Sequence, residues 1–192
     1  MINQKLTFAV QKSGRLREKS IEYLRSCSYK LPKSLDALLN SDDEADVNVL
    51  SVRDDDIPEY VYRRVADFGI VGENVLYEKG IDLDVVEELD FAWCYLNIAV
   101  PISANINVLQ DLQGLRVATS YPNLLKEFLG KNRIFASVIY LSGSVEVAPA
   151  LNLADAVCDL VQSGRTLREN GLRSLCELMS SRAVLVTNPS IK

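Results

Sequence analysis

Apolar residues along this chain follow two alternating patterns. Short runs of strand length give way to stretches in which apolar positions recur at helical spacing. Leu6 to Gln11 (LTFAVQ) reads as a buried strand and Leu16 to Ser26 as a helix. Val47 to Val52 reads as a strand followed by a helix over Ile57 to Arg64, and Ala66 to Gly72 as a strand with a helix from Asn74. Tyr95 to Pro101 is a further strand, after which the order restarts. Leu115 to Ser120 reads as a strand, and Pro122 stands where a first-turn proline opens a helix. Ser137 to Ser142 is a strand, Val145 to Leu151 a helix, Asp155 to Val161 a strand, and Ala183 to Asn188 the last strand. A Ser-Gly-Arg-Thr turn and a charged helix follow Val161. Strands alternating with helices predict an α/β protein rich in parallel pairing. Two such sets, joined near Phe91 to Pro101, predict two lobes with a cleft between them. Lobe I takes residues 1–92 plus 178–192, and lobe II takes 93–177.

Composition narrows the chemistry. The 192 residues are 48% hydrophobic and carry a formal charge of -5, with no basic tract. Nucleic acid is therefore not an expected partner. There is no signal-peptide-like stretch and no apolar run of bilayer length, so a cytoplasmic protein without membrane contact is expected. The four cysteines are scattered, as expected for reduced thiols, and no histidine occurs. That excludes Ser-His-Asp and Cys-His catalysis and leaves no zinc-type spacing. Chemistry must rest on carboxylates, cations, backbone amides or a metal that a substrate carries.

In α/β folds ligands bind beyond the carboxyl ends of strands, so those positions are the informative ones. Asp159 ends an apolar run, and Ser163, Gly164, Arg165 and Thr166 follow it. Backbone N–H groups at a glycine turn can cradle a phosphate, and an ionised carboxylate suits sugar hydroxyls. A ribose 5-phosphate fits both; an ordinary N-capped helix start fits the turn equally. QKSGRL (Gln11 to Leu16) repeats the logic, with Lys12 and Arg15 beside Gly14 as candidate polyphosphate contacts, or as a solvated helix start. VRDDDIP places Arg53 before Asp54, Asp55 and Asp56, which suit capping of the next helix better than a metal. Gly69 and Gly72 let a ligand approach closely or simply make a turn. Tyr121 lines a base pocket or is half-buried, and Glu146 sits in the first turn after Gly143 and Ser144. The acidic stretch Asn40 to Asn48 reads as a solvated loop.

Taken in order, QKSGRL, VRDDDIP, ADFGIVGENVL, ATSYPNLLK, LSGSVEVAP, LADAVCDLVQSGRTLRENGL and AVLV resemble the ATP phosphoribosyltransferases, which open histidine biosynthesis. The resemblance implies a fold like type II periplasmic binding proteins. It implies transfer of phosphoribosyl from phosphoribosyl pyrophosphate (PRPP) to N1 of the adenine of ATP, with Mg²⁺ carried by the pyrophosphate and no direct protein ligand. Carried over by motif, Asp159, Ser163, Gly164, Arg165, Thr166 and Leu167 would hold PRPP. Glu146 would lie beside its sugar, and Arg15 would assist the leaving group. Lys12, Arg15, Leu16, Arg53, Asp67, Gly69 and Tyr121 would approach ATP. Long members of the family add a histidine-binding C-terminal domain. Short members use a separate regulatory subunit resembling histidyl-tRNA synthetase. With 192 residues, a catalytic core is expected, as a homodimer or higher oligomer, with room for such a subunit. The rival expectation is a non-catalytic binding module on the same fold.

Overall fold

The computed structural model describes residues 5–190. The outermost residues of the N-terminal stretch and of lobe I, as expected from sequence, lie outside that range. The described chain separates into two compact units, residues 5–92 with 182–190 and residues 93–181.

The first unit is built on a mixed six-stranded sheet. Its strands are β1 (Leu6–Gln11), β2 (Leu39–Asn40), β3 (Val47–Val52), β4 (Phe68–Gly72), β5 (Asp84–Glu88) and β11 (Ala183–Thr187), in the order β2-β3-β1-β4-β11-β5. Its central pairs, β1 with β3 and β1 with β4, are parallel, while β11 runs antiparallel to both β4 and β5. Alternation along β1 explains the layering. Phe8 and Val10 pack with Ile21 and Leu24 of helix α1 (Arg15–Ser26). Ala9 faces the other way, in a cluster with Ile57 and Val61 of α2 (Ile57–Tyr62) and Val75 of α3 (Glu73–Lys79).

The second unit carries a five-stranded sheet of β6 (Cys94–Pro101), β7 (Arg116–Thr119), β8 (Ser137–Tyr140), β9 (Ala156–Val161) and β10 (Leu172–Ser181), in the order β10-β6-β9-β7-β8. Helix α4 (Pro122–Lys131) covers one face, where Leu125 and Leu129 meet Leu96, Ile98, Val117 and Cys158. The other face presents the smaller Ala99, Ala118 and Val157. Small side chains there leave room for two short segments to lie close. One is a 3₁₀ turn over Val145–Val147; the other is the five-residue helix α5 (Arg165–Glu169), anchored by Leu167.

Several expectations need correction. The sheets are mixed rather than parallel-rich, since the pairings β2–β3, β4–β11, β11–β5, β10–β6 and β6–β9 are antiparallel. The expected helix over Val145 to Leu151 is a single 3₁₀ turn followed by irregular turns. Pro149 lacks an N–H and restricts the residue before it, which prevents a regular helix there. Asp54, Asp55 and Asp56 form a 3₁₀ turn that leads into α2; Asp56 stands at the N-cap position of α2 but makes no side-chain cap bond. Strand β5 went unread because all five of its residues are exposed, leaving no buried face to alternate. Strand β10 went unread because bulges at Ser174/Cys176 and Glu177/Met179 break its two-residue period. Among the described residues, no helix is long and apolar enough to cross a membrane.

Candidate functional site

In the second unit the sequence of β9 alternates between its two faces. Cys158 and Leu160 point to the α4 side, while Val157 and Val161 join the cluster that includes Val145 and Leu167. Asp159 is therefore carried on the face covered by the 3₁₀ turn and α5. Its Oδ1 accepts the N–H of Leu160 at 2.8 Å. Burial pushes its pKa up; the Leu160 N–H opposes this, and the charge of Glu146 reinforces it. Among the described residues no cation pairs with it. A half-buried carboxylate with open acceptor positions and no counter-ion is suited to ligand hydroxyls. Glu146, half-buried in the 3₁₀ turn, is near enough for its charge to be felt. The residue that starts this turn, Ser144, is held at φ 50°, a left-handed conformation that costs a non-glycine residue energy.

The loop after β9 places Ser163 and Thr166 in solvent and turns at Gly164 with φ 68°. Its cations are locally engaged. Arg165 Nε donates to Glu169 at 2.6 Å, and an Arg168 NH2 donates to the Ser163 carbonyl at 3.4 Å. Two details revise the sequence reading. The Leu167 side chain is buried in the core, so only its backbone remains for a ligand. And α5 has five residues, too few for a sizeable macrodipole, so any anion must be held by the loop N–H groups and hydroxyls.

In the first unit, β1 and β3 end together, with Gln11 opposite Val52 and the Lys12 N–H donating to the Val52 carbonyl at 2.6 Å. Gly14 follows with φ 92° and ψ -178°, a region nearly closed to other residues, and α1 starts at Arg15. Lys12, Arg15 and Arg53 are exposed at this sheet end and form no ion pair among the described residues. Arg53 thus does not neutralise the acidic turn beside it, where burial and then the neighbouring Asp55 raise the pKa of Asp54. Leu16 is half-buried against the core. Arg17, on the same helix, donates to the Leu35 carbonyl at 2.5 Å and serves the fold.

Of three other residues assigned to ATP from the sequence, Asp67 and Gly69 lie away from this sheet end and Tyr121 belongs to the second unit. Asp67 precedes β4, at the amino end of the strand. Its carboxylate accepts the Thr7 N–H at 2.7 Å while its own N–H donates to the Thr7 carbonyl at 2.9 Å. Asp155 makes the same reciprocal pair with Arg116 at the start of β9, at 2.8 Å in each direction. Asp67 is thus a register clamp. Gly69 lies in β4 beneath α2: a Cβ there would come within 2.6 Å of Ile57 and 2.8 Å of Val61. The close approach that this glycine permits is that of α2 to the sheet. Tyr121 precedes α4 and is half-buried against the α4-side core, with its N–H donating to Thr119 Oγ1 at 2.9 Å.

A polar neighbour of Asp159, and the residue bonded to that neighbour, escaped the sequence reading. Asn97 stands directly opposite it on β6, and the Ser174 hydroxyl donates to Asn97 Oδ1 at 2.7 Å. The sequence signal was a lone asparagine inside the apolar run YLNIAV. Among the described residues, no group of three or more His, Cys, Asp or Glu is placed to hold a metal ion. In the acidic 40–48 stretch, Asp42 and Asp46 accept backbone N–H groups at 2.9 and 2.8 Å and shape the loop.

The family model for ATP phosphoribosyltransferase (HisG) matches residues 53–192. An ATP phosphoribosyltransferase of Cytophaga hutchinsonii is 45% identical over 186 residues, covering 97% of this chain and 65% of the relative. The chain thus spans slightly less than two thirds of that protein. Among solved structures, the ATP phosphoribosyl transferase (HisG:HisZ) complex from Thermotoga maritima matches with TM-score 0.83 and 32% identity, covering 96% of this chain and 88% of that one. The alkanesulfonate-binding protein SsuA of Xanthomonas axonopodis matches with TM-score 0.58 at 17% identity, covering 96% of this chain and 65% of that one, a likeness of fold alone. The fold is that of the two-lobed, type II periplasmic-binding-protein-like group.

Proposed function

The chain belongs to the ATP phosphoribosyltransferase family, and on that premise we propose that it transfers phosphoribosyl from PRPP to N1 of the adenine of ATP, releasing pyrophosphate. The observation that carries this reading is Asp159: a half-buried carboxylate without a counter-ion among the described residues, followed by a glycine turn with exposed hydroxyls. The carboxylate accepts from ribose hydroxyls, and the N–H groups and hydroxyls of Ser163 to Thr166 hold the 5-phosphate.

Adenine N1 has a free lone pair, so the absence of histidine does not hinder the reaction. As the bond from C1 to pyrophosphate lengthens, positive charge builds on the sugar, and the carboxylates of Asp159 and Glu146 favour it. Negative charge builds on pyrophosphate, which Arg15 is proposed to take up, with Lys12 and Arg53 as further polyphosphate contacts. Mg²⁺ enters as part of the donor substrate and shields its pyrophosphate. Most of the acceleration then comes from alignment and electrostatics. Asp67 and Gly69 have no part in the proposed chemistry, and Tyr121 remains a proposed neighbour of the adenine. The HisG:HisZ composition of the Thermotoga complex supports a separate regulatory subunit for this chain, and a homodimer is the proposed minimal state.

The test mixes the purified chain with ATP, PRPP, Mg²⁺ and a pyrophosphatase and follows the ultraviolet absorbance of N1-substituted adenine. Steady product formation is expected. PRPP binding with no product, with or without a regulatory subunit, would contradict transfer and favour a binding module.

A further inference from the structure

Asn97 is a polar residue where the local pattern calls for an apolar one. It lies in mid-strand, 8% exposed, on the face that Ala99 shares with Val157, Val145 and Leu167. Burying an amide is costly unless its groups are paired. Its oxygen is paired, because the Ser174 hydroxyl donates to Oδ1 at 2.7 Å. Among the described residues its NH₂ has no hydrogen-bond partner, yet it is not sealed from solvent. Ser174 is itself exposed and has no need of this bond. The effect of the bond is to fix which way the amide faces, oxygen toward β10 and NH₂ away from it.

The position of Asp159 gives that orientation a use. Asn97 and Asp159 are direct cross-strand partners on one face. Such partners have Cβ atoms about 4.5–5.5 Å apart. The ionised carboxylate offers only acceptors, while the amide, with its oxygen engaged by Ser174, has both donors free among the described residues. A sugar hydroxyl is both donor and acceptor, and two adjacent hydroxyls can bridge such a pair.

We propose that Asn97 is a sugar-binding residue, donating from its amide to a ribose hydroxyl whose neighbour donates to Asp159, with Ser174 as its positioning residue. This deepens the reading of the β9 site as a pentose-phosphate site and rests on it. Asn97 then discriminates for the sugar, while the loop at Ser163 to Thr166 discriminates for the phosphate.

The experiment is a ³¹P NMR titration with ribose 5-phosphate and, separately, with inorganic phosphate, which needs only the loop. For Asn97→Ala we expect ribose 5-phosphate to bind about five- to tenfold more weakly, the factor that one net hydrogen bond gives. Inorganic phosphate should bind as in the wild type. Ser174→Ala, a surface change that leaves the core intact, should weaken ribose 5-phosphate by a smaller factor, and adding it to Asn97→Ala should cost nothing more. Melting curves identify any variant that fails to fold, in which case Ser174→Ala decides alone. Equal losses for both ligands, unchanged ribose 5-phosphate binding in Asn97→Ala, or Ser174→Ala without effect would each overturn the proposal. Asp159→Asn separates the two levels of argument. If it loses ribose 5-phosphate while Asn97→Ala does not, only the role of Asn97 falls. If the wild type binds no ribose 5-phosphate, the site reading and this proposal fall together.

Discussion

At the start of β9, Asp155 accepts the backbone N–H of Arg116 at 2.8 Å and two guanidinium bonds at 2.9 and 3.1 Å. Four residues later, at the other end of the strand, Asp159 accepts one N–H, from its own neighbour. The guanidinium of Arg116 holds the first carboxyl below its usual range, whereas burial pushes the second above it. The first unit repeats the contrast. Asp67 clamps the start of β4 to Thr7, while Lys12, Arg15 and Arg53, where β1 and β3 end, form no ion pair among the described residues. In these two cases the carboxylate at the amino end of a strand is spent on register, while Asp159 and the cations after β1 and β3 are left open; Thr119, Ser120 and Thr187, at other carboxyl ends, are engaged in bonds of their own. Open groups at the carboxyl ends of strands are what ligand binding in α/β folds requires.

Substitutions at the two kinds of end can break this contrast. The largest effect is expected from Arg15→Ala, which should lower the initial rate on the order of a hundredfold, as loss of one transition-state charge contact does. Its melting temperature should not change, since Arg15 is exposed and forms no ion pair among the described residues. An unchanged rate would remove Arg15 from the functional ends. Gly69→Ala tests the middle of a strand. Its Cβ would press on Ile57 and Val61, so a stability loss of about 1–3 kcal/mol is expected by thermal melting. ATP binding per folded molecule should stay normal; a selective loss of ATP binding would return Gly69 to the site.

Asp155→Ala removes bonds worth roughly two net hydrogen bonds and should lower Tm by about 4–8 °C in a chain of this size. The sign of its pH dependence follows from the depressed native pKa. The contribution of Asp155 is full above the unfolded carboxylate range, near pH ~4, and fades as pH falls through the native value. The gap between variant and wild type should therefore close in acid. Asp159→Asn should do the reverse. A raised native pKa means that ionisation costs stability as pH rises, so the variant should melt above the wild type at neutral pH and gain nothing in acid. A lower Tm for Asp159→Asn at neutral pH would show that this carboxylate serves the fold after all.

Much of this was legible before the fold was known. The runs LTFAVQ, VNVLSV and DAVCDLV stand out as largely apolar because both of their faces are covered, and their ends drew attention to Asp159, Gly164 and Arg15. What stayed hidden has physical causes. Asp67 and Asp155 both follow alanine and precede a strand, and nothing local says that the carboxylate will turn back to a neighbouring strand far away in sequence. Gly69 reads as a ligand glycine until α2 is seen lying on it. Asn97 becomes informative only when β6 is paired with β9 and β10, and the bulges in β10 conceal that pairing.

The most direct test of the contrast is a calorimetric titration of PRPP with Mg²⁺ into Asp159→Asn and Asp155→Ala, each below its own melting temperature. Loss of charge-assisted bonds to the ribose should weaken binding to Asp159→Asn on the order of tenfold or more, while Asp155→Ala binds as the wild type does. Equal losses in both variants, or full affinity in Asp159→Asn, would contradict the assignment of the sugar to the carboxyl end of β9.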